Sequence, residues 1–249
     1  MSIIAGILFS LLALLAEIIG TVGGFGSSVF FVPVAGLFFD LHTVLALTAL
    51  LHVFSNSSKL WLFRGHINRR LMLLFGIPSV ALVWLGAELT AHISSQTATL
   101  LLGISIILIS LVLLVMPRLK LKAAPGTAII TGGTAGFFAG LVGTGGAIRG
   151  LGLAAFGLGK EAFIATSAAI DMGVDLLRAV VYLRFDYMPE SGLMWVPVLL
   201  LVALAGSWIG KKLVMRLEEN FWRKLLLVLL LLVGIWLVIS DYLPQLSAH

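Results

Sequence analysis

Charge is absent from long stretches of this chain, and that absence constrains its fold more than any motif does. No Asp, Glu, Lys or Arg lies in 1–16, 18–39, 41–58, 71–87, 89–117, 123–148, 191–210 or 225–240. A helix that crosses a bilayer needs about 20 mostly apolar residues, and most of these runs suffice. Only 11% of the 249 residues are charged and 60% are hydrophobic, whereas soluble domains carry about 25% charged residues. A mean hydropathy of +1.15 has the same meaning. No water-exposed surface covers that much apolar side chain, which excludes a soluble enzyme, a disordered tail and a nucleic-acid-binding domain. Cysteine is absent, so disulfides, thiolate metal sites and thiol chemistry are excluded as well.

Gly, Pro and polar punctuation divides the runs into ten hydrophobic segments: 3–20, 27–39, 42–63, 71–91, 97–116, 126–142, 147–157, 161–183, 191–213 and 221–240. At 1.5 Å per residue, 27–39 and 147–157 are too short to cross fully and read as half-helices. The expected fold is therefore an all-α polytopic membrane protein. The start of the chain lacks a basic n-region and a small-residue cleavage site, so it reads as a retained first segment. Basic residues cluster at Arg64, Arg69 and Arg70, at Arg118, Lys120 and Lys122, and at Lys211, Lys212, Arg216, Arg223 and Lys224. Placed in the cytoplasm together with Lys160, these clusters hold twelve of the sixteen Lys and Arg, and both termini fall outside.

A shift of 119 residues lays one half of the chain on the other. Gly24-Phe25-Gly26-Ser27-Ser28 falls on Gly143-Thr144-Gly145-Gly146-Ala147. His52, Asn56 and Lys59 fall on Asp171, Asp175 and Arg178, and Pro78 falls on Pro197. Each half has five segments, an odd number, so the second must enter the membrane from the opposite side. That is an inverted repeat, a layout that places a transporter's site near the midplane. The expected organisation is a first repeat over 1–116, a basic cytoplasmic linker over 117–125 and a second repeat over 126–249.

Three sets of residues could carry chemistry. Backbone leaves helical form inside a membrane only where it is buried or lines a wet cavity. The breaks at Gly23-Gly24-Phe25-Gly26 and Gly143-Thr144-Gly145-Gly146 each precede a short apolar segment. A helix starting there offers free N–H groups and a positive dipole end, to which Ser27, Ser28 and Thr144 add hydroxyls. Two such ends facing each other would bind an anion without any formal charge. The alternative is close packing through small residues, the reading that suits Gly132, Gly133, Gly136 and Gly140.

His52, Ser55, Asn56 and Lys59 share one helix face, and Asp171, Asp175 and Arg178 repeat the arrangement. Ionisable groups at membrane depth are costly and point to function. The bland alternatives are a snorkelling Lys59 and a self-neutralising Asp175–Arg178 pair. Arg149, one turn beyond the second glycine cluster, has Phe30 as its repeat mate. A buried arginine requires an anion, supplied by Asp171, by Asp175 or by a substrate. Glu17 is either a proton carrier or the partner of a lysine.

The ten-residue stretch that opens on a glycine-rich turn and ends in proline, Gly24-Phe-Gly-Ser-Ser-Val-Phe-Phe-Val-Pro33, resembles the sulfite exporter TauE/SafE family, also called the toluene sulfonate uptake permease family. Its recurrence in Gly143-Thr-Gly-Gly-Ala-Ile-Arg and the Asn56 to Lys59 spacing resemble the family too. Gly152 stands where the second motif usually has proline, Ser27 and Ser28 replace glycines, and Asp171 and Asp175 add negative charge. The resemblance implies a bacterial inner-membrane carrier of sulfite, sulfoacetate or sulfonates.

The expected function is accordingly a secondary transporter that exports small sulfur-containing anions by alternating access. Gly24, Gly26, Ser27, Ser28, Asn56, Lys59, Gly143, Thr144, Gly145, Gly146, Arg149 and Arg178 are the expected substrate ligands. Glu17, His52, Asp171 and Asp175 are the candidates for proton coupling, which uptake would require. No cofactor or metal is expected, and no nucleic acid. The partners are a small anion and the lipid bilayer, with a homo-oligomer left open. An anion channel, a proton-coupled uptake permease and a membrane-embedded serine hydrolase using Ser27 or Ser28 compete with this reading. Gly146 and Ala147, which lack a hydroxyl at the matching positions, argue against the hydrolase.

Overall fold

The computed structural model describes residues 2–24, 26–94 and 123–216, with isolated positions between 97 and 108 and at 218 and 221. Segments 97–116 and 221–240, most of the linker and the basic residues Arg223 and Lys224 lie outside the described residues, apart from those isolated positions. The described elements are all helical: α1 (Ile3–Gly23), α2 (Ser28–Ala35), α3 (Leu41–Leu62), α4 (Arg69–Thr90), α5 (Pro125–Val142), α6 (Gly146–Ala154), α7 (Lys160–Arg184), α8 (Glu190–Leu193) and α9 (Val196–Val214). The expected segment 191–213 is split by a short interruption at Met194 and Trp195.

Local chemistry sets these boundaries. Ser2, Asp40 and Asn68 cap α1, α3 and α4, accepting the N–H groups of Ala5, Thr43 and Leu71 at 3.1–3.2 Å. Partial burial of the Asp40 carboxyl raises its pKa. Hydrogen bonds from the Thr43 hydroxyl and N–H more than reverse this and leave it below the ordinary carboxylate value. Pro125 opens α5, where its missing N–H costs nothing. Both α1 and α5 end on a left-handed glycine, Gly24 at φ 72° and Gly143 at φ 79°, a conformation that suits glycine.

After each of these glycines the chain turns back on itself. Phe9, in the second turn of α1, packs against Phe38 at 5.5 Å and Phe39 at 5.2 Å between ring centroids. By residue 39 the chain has thus returned to the level where α1 began. In the second half Phe156 returns to Phe75 at 5.8 Å, while Leu153 joins Ala128 of α5 in one apolar cluster. The short helices α2 and α6 are the half-helices expected from 27–39 and 147–157, at about 12–14 Å of rise each.

The long helices pair as α4 with α5, α1 with α9, α3 with α7, α4 with α7 and α3 with α9. Exchanging the two halves of the chain maps each pairing onto another or onto itself. Small residues allow the closest of these approaches. A Cβ at Gly136 would lie 2.1 Å from the Ser79 carbonyl oxygen, and one at Gly140 would lie 2.2 Å from that of Val83. Across the molecule, Gly206 and Gly210 of α9 lie against the side chains of Glu17 and Thr21 of α1.

Among the described residues, four helical stretches, α1, α4, α5 and Glu190–Val214, are long and apolar enough to cross a membrane. Their outward faces are apolar: Ile3, Ile7, Leu11 and Leu15 on α1, Ile77 on α4 and Leu201 on α9 are all exposed. The central pair α3 and α7 holds the polar residues inside.

Candidate functional site

Helices α3 and α7 cross in the interior with their polar faces toward each other. The two half-helices point their N-termini at the same place. Ser28 Oγ, at the start of α2, donates to Thr144 Oγ1, just before α6, at 3.2 Å. The first N–H groups of each helix have no intrahelical acceptor. Gly24 and Gly26 lie in the turn before α2, Gly143 and Gly145 in the turn before α6, and Gly146 is the first residue of α6.

Three ion pairs surround this centre, all between buried side chains. In the first, Lys59 Nζ lies 2.9 Å from Glu17 Oε1. The Glu17 carboxylate also accepts Ser27 Oγ at 2.6 Å, Thr21 Oγ1 at 2.9 Å, Ser207 Oγ at 3.3 Å and the Ser55 hydroxyl. Lys59 therefore does not snorkel but pairs with Glu17 in the interior. In the second, Arg178 Nε lies 2.8 Å from Asp175 Oδ1, an i,i+3 pair, while Nη1 donates to the Gly143 and Ala139 carbonyls at 2.9 and 3.2 Å. Arg178 thereby ties α7 to the turn that launches α6. In the third, the guanidinium of Arg149 grips the Asp171 carboxylate through both terminal nitrogens, and Arg149 Nε donates to Ser167 Oγ at 3.1 Å.

Asn56 and His52 join the pairs across the two halves. Asn56 Nδ2 donates to Asp175 Oδ2 at 2.8 Å. These two residues are separated by 119 positions, the shift of the duplication, so repeat mates touch where α3 crosses α7. His52 Nε2 lies 3.1 Å from Ser27 Oγ, and its Nδ1 lies 3.4 Å from both Asp175 Oδ2 and Arg178 Nη2. A continuous polar path thus runs Glu17–Ser27–His52–Asp175–Asn56. Gly26 closes it on one side: a Cβ there would stand 3.5 Å from His52 Cε1 and 3.9 Å from Asp171 Oδ2.

All sixteen residues expected from the sequence fall in or beside this one region. Thr21, Ser167, Ser207 and Tyr182 belong to it as well and were not foreseen. Thr21 stands one turn from Glu17, a spacing that would have flagged it. Ser167, Ser207 and Tyr182 make long-range contacts that no local pattern signals. The charges balance: Lys59, Arg149 and Arg178 face Glu17, Asp171 and Asp175, with His52 as the additional titratable group. Among the described residues no cluster of three or more His, Asp or Glu has a metal-binding arrangement. Such a centre can hold an anion by N–H, hydroxyl and guanidinium donors.

No match is found among curated proteins or among solved structures. The model of one protein family matches residues 9–237, which is nearly the whole chain and both glycine breaks. The chain is a membrane protein of the sulfite exporter TauE/SafE family, a family of transporters.

Proposed function

We propose that this protein carries small sulfur-containing anions, with sulfite, sulfoacetate or sulfonates as the substrate class, across the bacterial inner membrane. The observation that carries the reading is the meeting of the α2 and α6 N-termini at Ser28 and Thr144, beside the buried Arg149. Two positive helix ends and a guanidinium suit a compact oxyanion that bears one or two charges. Family membership supports the same substrate class.

The mechanism is alternating access between two inverted repeats, 1–116 and 126–249, joined by the basic linker 117–125. The symmetric helix pairings and the Asn56–Asp175 contact between repeat mates support this division. Gly24, Gly26, Gly143, Gly145 and Gly146 shape the turns, and Ser27, Ser28, Thr144 and Asn56 offer polar donors. Lys59 and Arg178 set the positive potential of the site from within their ion pairs, and Arg149 contacts the anion. The direction is export, since the potential, negative inside, drives net negative charge outward.

The test is radiolabelled sulfite counterflow in proteoliposomes containing the purified protein. Saturable exchange that Arg149→Ala abolishes is the expected result. A folded wild-type protein that exchanges neither sulfite nor sulfoacetate would overturn the assignment, and single-channel conductance would favour a channel.

A further inference from the structure

We propose that Asp171 stands in for the transported anion on Arg149 and gives up that place on taking up a proton, so that each anion crosses together with one proton. This inference rests on the anion-carrier reading above and names its coupling ion.

The geometry distinguishes Asp171 from the other two buried acids. Glu17 is surrounded by Lys59, Thr21, Ser27, Ser55 and Ser207. Asp175 is held by Arg178 and Asn56 with His52 beside it. The hydrogen bonds of the Asp171 carboxylate, among the described residues, all come from the guanidinium of Arg149. That grip is two-pronged, the geometry in which a guanidinium also takes a sulfur oxyanion. The carboxylate lies against the break before α2, close to Gly26, and its partner sits in the first turns of α6. Asp171 thus holds the arginine of α6 beside the break that precedes α2, the place this reading gives to the substrate anion.

The energetics then require a proton. An anion that captures Arg149 leaves Asp171 charged and without its donor at membrane depth. A buried ion stranded in this way costs several kcal/mol, and protonation removes the charge. The groups facing Asp171 are Arg149 from α6, His52 from α3, and Asp175 and Arg178 from its own helix. The ionisable residues of α4, Arg69, Arg70 and Glu88, lie toward its ends, and α5 has none. His52 is the competing proton acceptor. Its Nδ1 lies 3.4 Å from both Arg178 Nη2 and Asp175 Oδ2, and its Nε2 lies 3.1 Å from Ser27 Oγ. The proton enters from the water on the side where the anion binds and leaves with the anion on the other side.

The experiment measures half-saturation for sulfite counterflow in wild type and Asp171→Asn between about pH 6 and about pH 8. The ionisation of sulfite in solution is common to both proteins and cancels in their ratio. The variant should bind sulfite more tightly. The wild-type to variant ratio should rise toward tenfold per pH unit, the slope of a one-proton exchange. A ratio independent of pH, or weaker binding by the variant throughout, would overturn the proposal. Should Asp171→Asn fail to fold, the double variant Arg149→Met with Asp171→Leu decides. Replacing a buried pair by apolar residues is commonly tolerated, so this protein should fold and lose exchange. Exchange with near-wild-type half-saturation would show that the pair is only structural. Absence of exchange in the wild type is a separate outcome: it removes the carrier reading and this inference with it.

Discussion

Lys59 and Glu17 show how a single residue's role depends on its partner. Both are at most 5% exposed, and they lie 2.9 Å apart. Removing one member of a buried pair leaves an uncompensated charge, whereas removing both does not. Lys59→Met should therefore destabilise the detergent-purified protein by about 3–5 kcal/mol. Adding Glu17→Gln to it should recover most of that loss in a thermal melt. If the double variant is as unstable as the single one, the pair is not what holds Lys59 in place. The residue types at 17, 52, 56, 59, 149, 171, 175 and 178 were legible as unusual because each is polar in an apolar run. Their partners were not, since the bonds to Glu17 arrive from α1, α3, α9 and the break after α1.

At the scale of elements, the α4–α5 contact depends on the absence of side chains. A Cβ at Gly136 would meet the Ser79 backbone, which cannot move aside without separating the two helices. Gly136→Ala should lower stability by about 1–3 kcal/mol or more, as overpacking does. Gly126→Ala, in the same helix with nothing within 4 Å, should leave the melting temperature unchanged or slightly raised. Equal effects from both substitutions would mean that helix propensity, not close approach, governs α5. The small-residue stripe at Gly132, Gly136 and Gly140 was readable from its four-residue spacing. Gly206 and Gly210 show the same spacing, and their partner α1 became evident only from the packing.

For the molecule as a whole, net charge per cycle is the quantity that separates the mechanisms. Moving one charge through 100 mV is worth roughly 2.3 kcal/mol, about a fiftyfold concentration ratio. A dianion crossing alone would reach over a thousandfold at that potential, roughly the square of the single-charge ratio. A dianion accompanied by one proton would reach only about fiftyfold. Accumulation of sulfoacetate by proteoliposomes at an imposed potential, with no pH gradient, should follow the smaller value if Asp171 carries a proton. The larger value would exclude that coupling.

The membrane-spanning character and the short α2 and α6 are readable in the linear sequence. They follow from local facts: how long an apolar run lasts and where glycine breaks it. Each such feature acts within a few turns of chain. Pairing is different in kind. Arg149 is forked onto Asp171, 22 residues on, while Asn56 reaches Asp175, 119 residues away. Several carboxylates were available to each cation at similar sequence distance. The crossing of α3 with α7 and the return of the two half-helices brought particular donors within hydrogen-bonding reach of particular acceptors. In a dry interior, where an unmatched charge is costly, that packing selects the partners.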